Sequence, residues 1–191
     1  ISEYVNTHTA DGGFYVRTDF QAALDVAYDA LDAKDDGSVK KMGTTLVFAK
    51  FHEGGCFTAH IGDSRIYHIR PGNRQILHVT HDHSLVNELV ALGEMTPGEA
   101  RTSSQRNIIT RAMQPSQEHR TPADCFQITD LEPGDYIYLC SDGMLECMED
   151  RELVDILSSR LSDEEKTRAL RDATADNRDN HSALLIRLVQ R

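Results

Sequence analysis

Three short stretches of this chain carry residue types that could hold a cation. In the first, Tyr136-Ile137-Tyr138-Leu139-Cys140-Ser141-Asp142-Gly143, an apolar run ends in Asp-Gly. A buried strand fixes its own end, so a carboxylate there points at a defined place, and the glycine lets the backbone turn and leaves room for an ion. The second is Asp176-Asn177-Arg178-Asp179-Asn180, directly before the apolar stretch 182–189. Taken singly, each pattern is more often a plain turn than a ligand site. If the two apolar stretches pair, Asp142 and Asp179 converge. Hard cations such as Mg²⁺ and Mn²⁺ take several oxygen ligands and retain waters, which suits such a pair. The third stretch, Thr80-His81-Asp82-His83-Ser84, makes a histidine cluster with His78. His and Asp both ligate zinc, so a zinc metallohydrolase built on His78, His81, Asp82 and His83 is one reading. The favoured reading is a helix start capped by Asp82 or by His83-Ser84, with Asp82 facing a metal.

The elements that must position these residues follow from periodicity. Residues 19–33 place Phe20, Leu24, Ala27 and Leu31 at helical spacing. Strand-like segments follow at 44–51, 55–61, 64–70 and 74–80. Gly62-Asp63 is a two-residue hairpin signal between the second and third. A helix over 84–92 ends at Gly93. Thr96-Pro97-Gly98-Glu99 predicts another, with Thr96 as N-cap, Pro97 in first position and Glu99 closing a capping box. Strands return at 124–128 and 136–140, helices at 149–161 and 163–173, and a last strand at 182–189. This order predicts an α+β protein with largely antiparallel sheet.

Composition narrows the partners. The 191 residues are 39% hydrophobic and 27% charged, an ordinary globular balance. With 20 Lys and Arg against 31 Asp and Glu, the net charge is −11. That speaks against a nucleic-acid partner, which needs clustered cations to neutralise phosphates. No apolar run approaches the ~20 residues of a membrane-spanning helix, so no membrane partner is expected. The four cysteines are irregularly spaced with no Cys-x-x-Cys. Buried free thiols in a reducing, cytoplasmic compartment fit that pattern. The first residue is Ile rather than Met, as in a fragment or a processed chain.

Six motifs occur in a telling order: Met42-Gly43-Thr44-Thr45, Gly62-Asp63-Ser64-Arg65, Thr80-His81-Asp82-His83-Ser84, Arg106-Asn107-Ile108-Ile109-Thr110-Arg111-Ala112, Leu131-Glu132-Pro133-Gly134-Asp135 leading to Cys140-Ser141-Asp142-Gly143, and Arg178-Asp179-Asn180. Each is weak alone. Together they make residues 42–189 resemble the PPM family, the type 2C metal-dependent serine/threonine protein phosphatases, in their bacterial form. The resemblance implies a single domain over 1–191 with a four-layer αββα sandwich of two antiparallel sheets flanked by helices. It implies a centre of two Mn²⁺ or Mg²⁺ ions, with a third in bacterial members, at which a metal-bridged water attacks the phosphorus of phosphoserine or phosphothreonine in a protein substrate. Asp142 and Asp179 match ligands of one ion, and Asp82 matches a ligand of the weaker third. Residues 84–105 match a mobile flap beside the cleft. Gly62-Asp63-Ser64-Arg65 matches a structural hairpin, with no catalytic role for Asp63.

The chain also departs from the family pattern. The family's opening strands carry an acidic residue, a phosphate-binding Arg and an Asp-Gly-x-Gly-Gly turn whose Asp bridges both metals. None of these motifs is found in residues 1–191, and the resemblance therefore leads us to expect an N-terminally incomplete domain in this stretch. Ala10-Asp11-Gly12-Gly13 is one residue short of that turn and follows no apolar strand, which points to a surface loop joining two helices. The expectation is therefore little phosphatase activity from these residues alone. Exposed sheet edges would favour self-association. The competing reading is a non-catalytic, pseudophosphatase-like binding or regulatory module.

Overall fold

The computed structural model describes residues 1–9 and 13–190; Ala10, Asp11 and Gly12 of the loop singled out above lie outside the described residues. Helices α1 (Ser2–His8) and α2 (Arg17–Asp32) open the chain. Strands β1 (Leu46–His52), β2 (Gly55–Ile61), β3 (Arg65–Arg70) and β4 (Gln75–Val79) follow. Then come α3 (Leu85–Ala91), α4 (Pro97–Thr102), β5 (Asp124–Ile128), β6 (Tyr136–Cys140), α5 (Asp150–Leu157), α6 (Asp163–Ala173) and β7 (Ala183–Arg187). Every strand pair is antiparallel. The expected α+β class, two antiparallel sheets with helices, is what the chain forms. Contacts divide it into two compact units, one of residues 1–62 and 83–130, the other of residues 63–82 and 131–191.

The first unit holds the sheet β1-β2-β5. Of the residues read at helical spacing on α2, Phe20 and Leu24 are buried and Ala27 and Leu31 pack half-buried against the same core, which Tyr28 joins. Phe20 meets Phe48 of β1 and Phe57 of β2, with ring centres 5.0 and 5.6 Å apart. Tyr15 meets the edge of Phe57 at 5.3 Å. Aromatic packing of this kind both buries large apolar area and fixes ring orientation. The Tyr28 hydroxyl stays satisfied by donating to the Thr121 carbonyl at 2.9 Å. The capping box at Thr96 and Glu99 forms as expected.

The second unit holds the sheet β4-β3-β6-β7. All five residues of β6 are buried, which is why its sequence is a continuous apolar run rather than an alternating one. Tyr67, Ile69 and Tyr138 form its core with Leu153, Val154 and Leu157 of α5 and Leu170 of α6. The entry to β6 is pinned by Asp135, whose carboxylate accepts from Arg70 Nε at 3.0 Å and Arg70 Nη2 at 2.9 Å and lies 2.8 Å from Nε2 of His68. Burial pushes the Asp135 pKa up, but the Arg70 and His68 hydrogen bonds outweigh it and hold the carboxylate below its usual range.

One local expectation is corrected. Gly62-Asp63 is not a hairpin between paired strands: β2 pairs with β1 and β5, whereas β3 pairs with β4 and β6. Both partners of each strand are already taken, so the Gly-Asp turn carries the chain from one sheet to the other. Gly62 adopts φ +103°, and a Cβ there would stand 2.4 Å from Thr45 Cγ2, so only glycine fits. The thiols are free as expected, with Cys56 and Cys140 buried, Cys125 half-buried and Cys147 exposed. No described helix is long and apolar enough to cross a membrane.

Candidate metal centre

The pairing that would bring Asp142 to Asp179 is present. β6 and β7 run antiparallel with Cys140 opposite Ala183. The ladder continues one step past the strands, where the Ser141 N–H donates to the Ser182 carbonyl and the Ser182 N–H donates to Ser141 Oγ, both at 3.0 Å. The end of β6 and the approach to β7 therefore lie side by side. Gly143 permits the closest part of this contact. A Cβ on it would sit 2.5 Å from the Asn180 carbonyl oxygen. Asn177 Nδ2 donates to the Gly143 carbonyl at 2.5 Å, and Glu146 Oε2 accepts from the Arg178 and Asp179 amides at 2.7 and 3.3 Å. The room that glycine leaves at this turn is filled by backbone of the Asp179 loop.

Both carboxylates are oriented by backbone. Asp142 Oδ1 accepts the Gly143 N–H at 2.8 Å, and Asp179 Oδ1 accepts the Asn180 N–H at 2.7 Å. Burial raises the Asp142 pKa most, and the neighbouring Asp179 and Asp82 carboxylates raise it further against the Gly143 N–H. Asp63 joins the same field. It is buried, and burial together with Asp142 and Asp82 pushes its pKa up to about 6, with the nearby Arg65 charge opposing. Carboxylates that repel one another at a partly dehydrated turn are what a divalent cation would relieve, and their hard oxygen donors suit Mn²⁺ or Mg²⁺. The residues fit such an ion.

Asp82 has a separate commitment. Both its oxygens accept from Arg65, Oδ1 from Nε and Oδ2 from Nη2, each at 2.7 Å. Nor does it cap the following helix. Ser84 is the N-cap of α3, and no side-chain cap hydrogen bond forms.

The zinc reading of His78, His81, Asp82 and His83 is not met. His78 lies opposite His68 in the β3–β4 ladder, and His81 is exposed. Among the described residues, the group of three side chains whose ligand atoms lie mutually within 4.8 Å is His60, His83 and Asp124. His83 Nδ1 accepts the Gly62 N–H at 3.0 Å, so the hydrogen of the neutral ring is on Nε2, which donates to Asp124 Oδ2 at 3.0 Å. An ion at Nε2 would have to displace that hydrogen while Nδ1 stays committed, leaving an imidazolate. The His60 and His83 rings stack 4.6 Å apart, with the tautomer of His83 fixed by its two hydrogen bonds.

Sequence reasoning missed Asp63, Arg65 and Glu146. The first two were visible as Gly-Asp-Ser-Arg but were assigned to a hairpin. Glu146 carried no signal, since its role is to accept backbone N–H groups 32 and 33 residues away.

Comparison with known proteins decides the family. The sequence profile of protein phosphatase 2C matches residues 4–178. The chain belongs to the protein phosphatase 2C family. A putative 2C-type phosphatase of Streptococcus pyogenes serotype M6 is 41% identical over 145 residues, covering 76% of this chain and 56% of that relative. The chain thus spans about half the length of the curated relatives it matches. The Mycobacterium tuberculosis serine/threonine phosphatase PstP/Ppp has a similar structure, with TM-score 0.84 at 26% identity over all of this chain and 80% of that one. The catalytic domain of PstP in complex with two manganese ions shares the fold at 24% identity, with TM-score 0.78, covering 99% of this chain and 77% of that one. The two PstP structures bear out the fold expected from the six motifs.

Proposed function

We propose that the protein from which this chain comes hydrolyses phosphoserine and phosphothreonine in proteins, and that Asp142 and Asp179 hold one of its divalent ions. The observation that carries this reading is the convergence of the two carboxylates at the joined ends of β6 and β7, in a chain of the 2C family. A bound Mn²⁺ or Mg²⁺ supplies Lewis-acid activation of water and neutralises charge on the phosphoryl group. The chain's own residues do the positioning. Gly143 and Asn180 amides aim the two carboxylates, and Glu146 braces the Asp179 loop by accepting its amides. The bound-manganese neighbour supports the metal type, and the family name of the relatives supports the substrate class. Residues 84–105, which include α3 and α4, would act as the flap that selects substrate within the single domain that the resemblance implies, while the cysteine pattern supports a cytoplasmic setting and the exposed sheet edges support self-association.

The Asp-Gly-x-Gly-Gly turn does not occur in residues 1–191, so this stretch alone should turn over slowly. Calorimetric titration with Mn²⁺ tests the reading. The starting chain should bind Mn²⁺, and Asp142→Asn or Asp179→Asn should weaken binding by about tenfold or more, that is about 1.4 kcal/mol. Absence of Mn²⁺ binding in the starting chain would favour the non-catalytic module instead. Fast Mn²⁺-dependent hydrolysis of a phosphoserine peptide by these residues alone would overturn the expectation of weak activity.

A further inference from the structure

Arg65 and Asp82 lie in the same unit as Asp142 and Asp179. Their side chains are 29% and 14% exposed. The two 2.7 Å bonds from Nε and Nη2 to separate carboxylate oxygens make a parallel fork, the strong form of guanidinium–carboxylate pairing. The fork is also anchored from behind. Arg65 Nη1 donates to Tyr67 Oη at 3.1 Å, and that hydroxyl donates onward to Asp150 Oδ1 at 3.0 Å. Tyr67 is fully buried on β3, and Asp150 is the first residue of α5.

We propose that Arg65 is the resident cation of the acidic site, and that Asp82 serves as its partner rather than as an ion ligand. This rests on the reading that Asp142 and Asp179 hold a divalent ion. A second cation on Asp82 would meet a guanidinium already in contact with both carboxylate oxygens. Arginine cannot yield by losing its proton. It would have to swing away, breaking the chain of bonds through Tyr67 to Asp150. The charge reaches beyond Asp82, since Arg65 also opposes the rise that burial, Asp142 and Asp82 impose on Asp63. Arg65 therefore offsets carboxylate repulsion permanently, whether or not an ion is bound, and sets how many ions the site takes.

The test counts Mn²⁺ ions on the full chain by calorimetry and elemental analysis. Asp82→Asn should leave the number of ions unchanged and the affinity within about threefold. Arg65→Gln, which releases Asp82, should add a weak ion, and Asp82→Asn in that background should remove it again. Loss of an ion on Asp82→Asn alone overturns the proposal, as does an unchanged ion count in folded Arg65→Gln. If Arg65→Gln melts too early to titrate, Asp82→Asn alone decides. A starting chain that binds no Mn²⁺ sinks the functional reading rather than this pairing. Urea unfolding in EDTA then decides: non-additive effects of the two substitutions support the fork, and additive ones overturn it.

Discussion

At the scale of single residues, Asp63 makes the fold sensitive to pH. Its pKa rises from 3.8 in the unfolded chain to about 6 in the fold, first through burial and then through Asp142 and Asp82. A raised carboxyl pKa means that the fold prefers the protonated form. Its stabilising effect is complete below 3.8 and is lost as pH rises through about 6. In metal-free buffer the protein should therefore lose stability across that window, and Asp63→Asn should flatten the loss. Thermal melts of both forms from pH 4 to 8 would check this, and parallel curves would refute it. Asp63 and Arg65 were legible as residue types but not as roles. The Arg65–Asp82 pairing spans 17 positions, and no local pattern announces which carboxylate an arginine will choose.

At the scale of elements, legibility followed locality. The capping box at Thr96, the helical stripe of α2 and the buried run of β6 are local signals, and each produced the expected element. The Gly62-Asp63 turn was also seen, but a dipeptide reports only that the chain bends. Whether the flanking strands pair depends on partners from β5 and β6, about 60 or more residues on, where loop closure rather than turn chemistry sets the cost. The β6–β7 junction yields a prediction of its own. In Gly143→Ala the new Cβ would press on the Asn180 carbonyl at 2.5 Å. Overpacking of that kind costs about 1–3 kcal/mol. The variant should unfold at lower urea concentration and bind Mn²⁺ more weakly, because the two carboxylates are pushed apart. Unchanged Mn²⁺ affinity would show that the contact does not set their spacing.

At the scale of the whole molecule, the two sheets of the described residues present four edge strands, β1, β5, β4 and β7. Unpaired N–H and C=O rows are templates for another chain. β7 is the most open of them, with Leu184 at 56% exposure. Leu184→Lys should reduce concentration-dependent association measured by light scattering, and an unchanged mass distribution would argue against this edge. The ionic composition alone could not have located that surface, because the charge count says nothing of which strand ends a sheet.

The position of β7 in the chain has a consequence for synthesis. On a ribosome the N-terminal segments emerge first, so β3, β4 and β6 are available to one another before Asp179 and β7 have left the exit tunnel. Until then Asp142 has no partner across the junction, and the nascent chain offers a divalent ion only half of the pair. Capture of an ion by both aspartates would thus wait until the Asp179 segment has emerged, and a product cut short before Ala183 would keep both aspartates yet lack the strand that joins them.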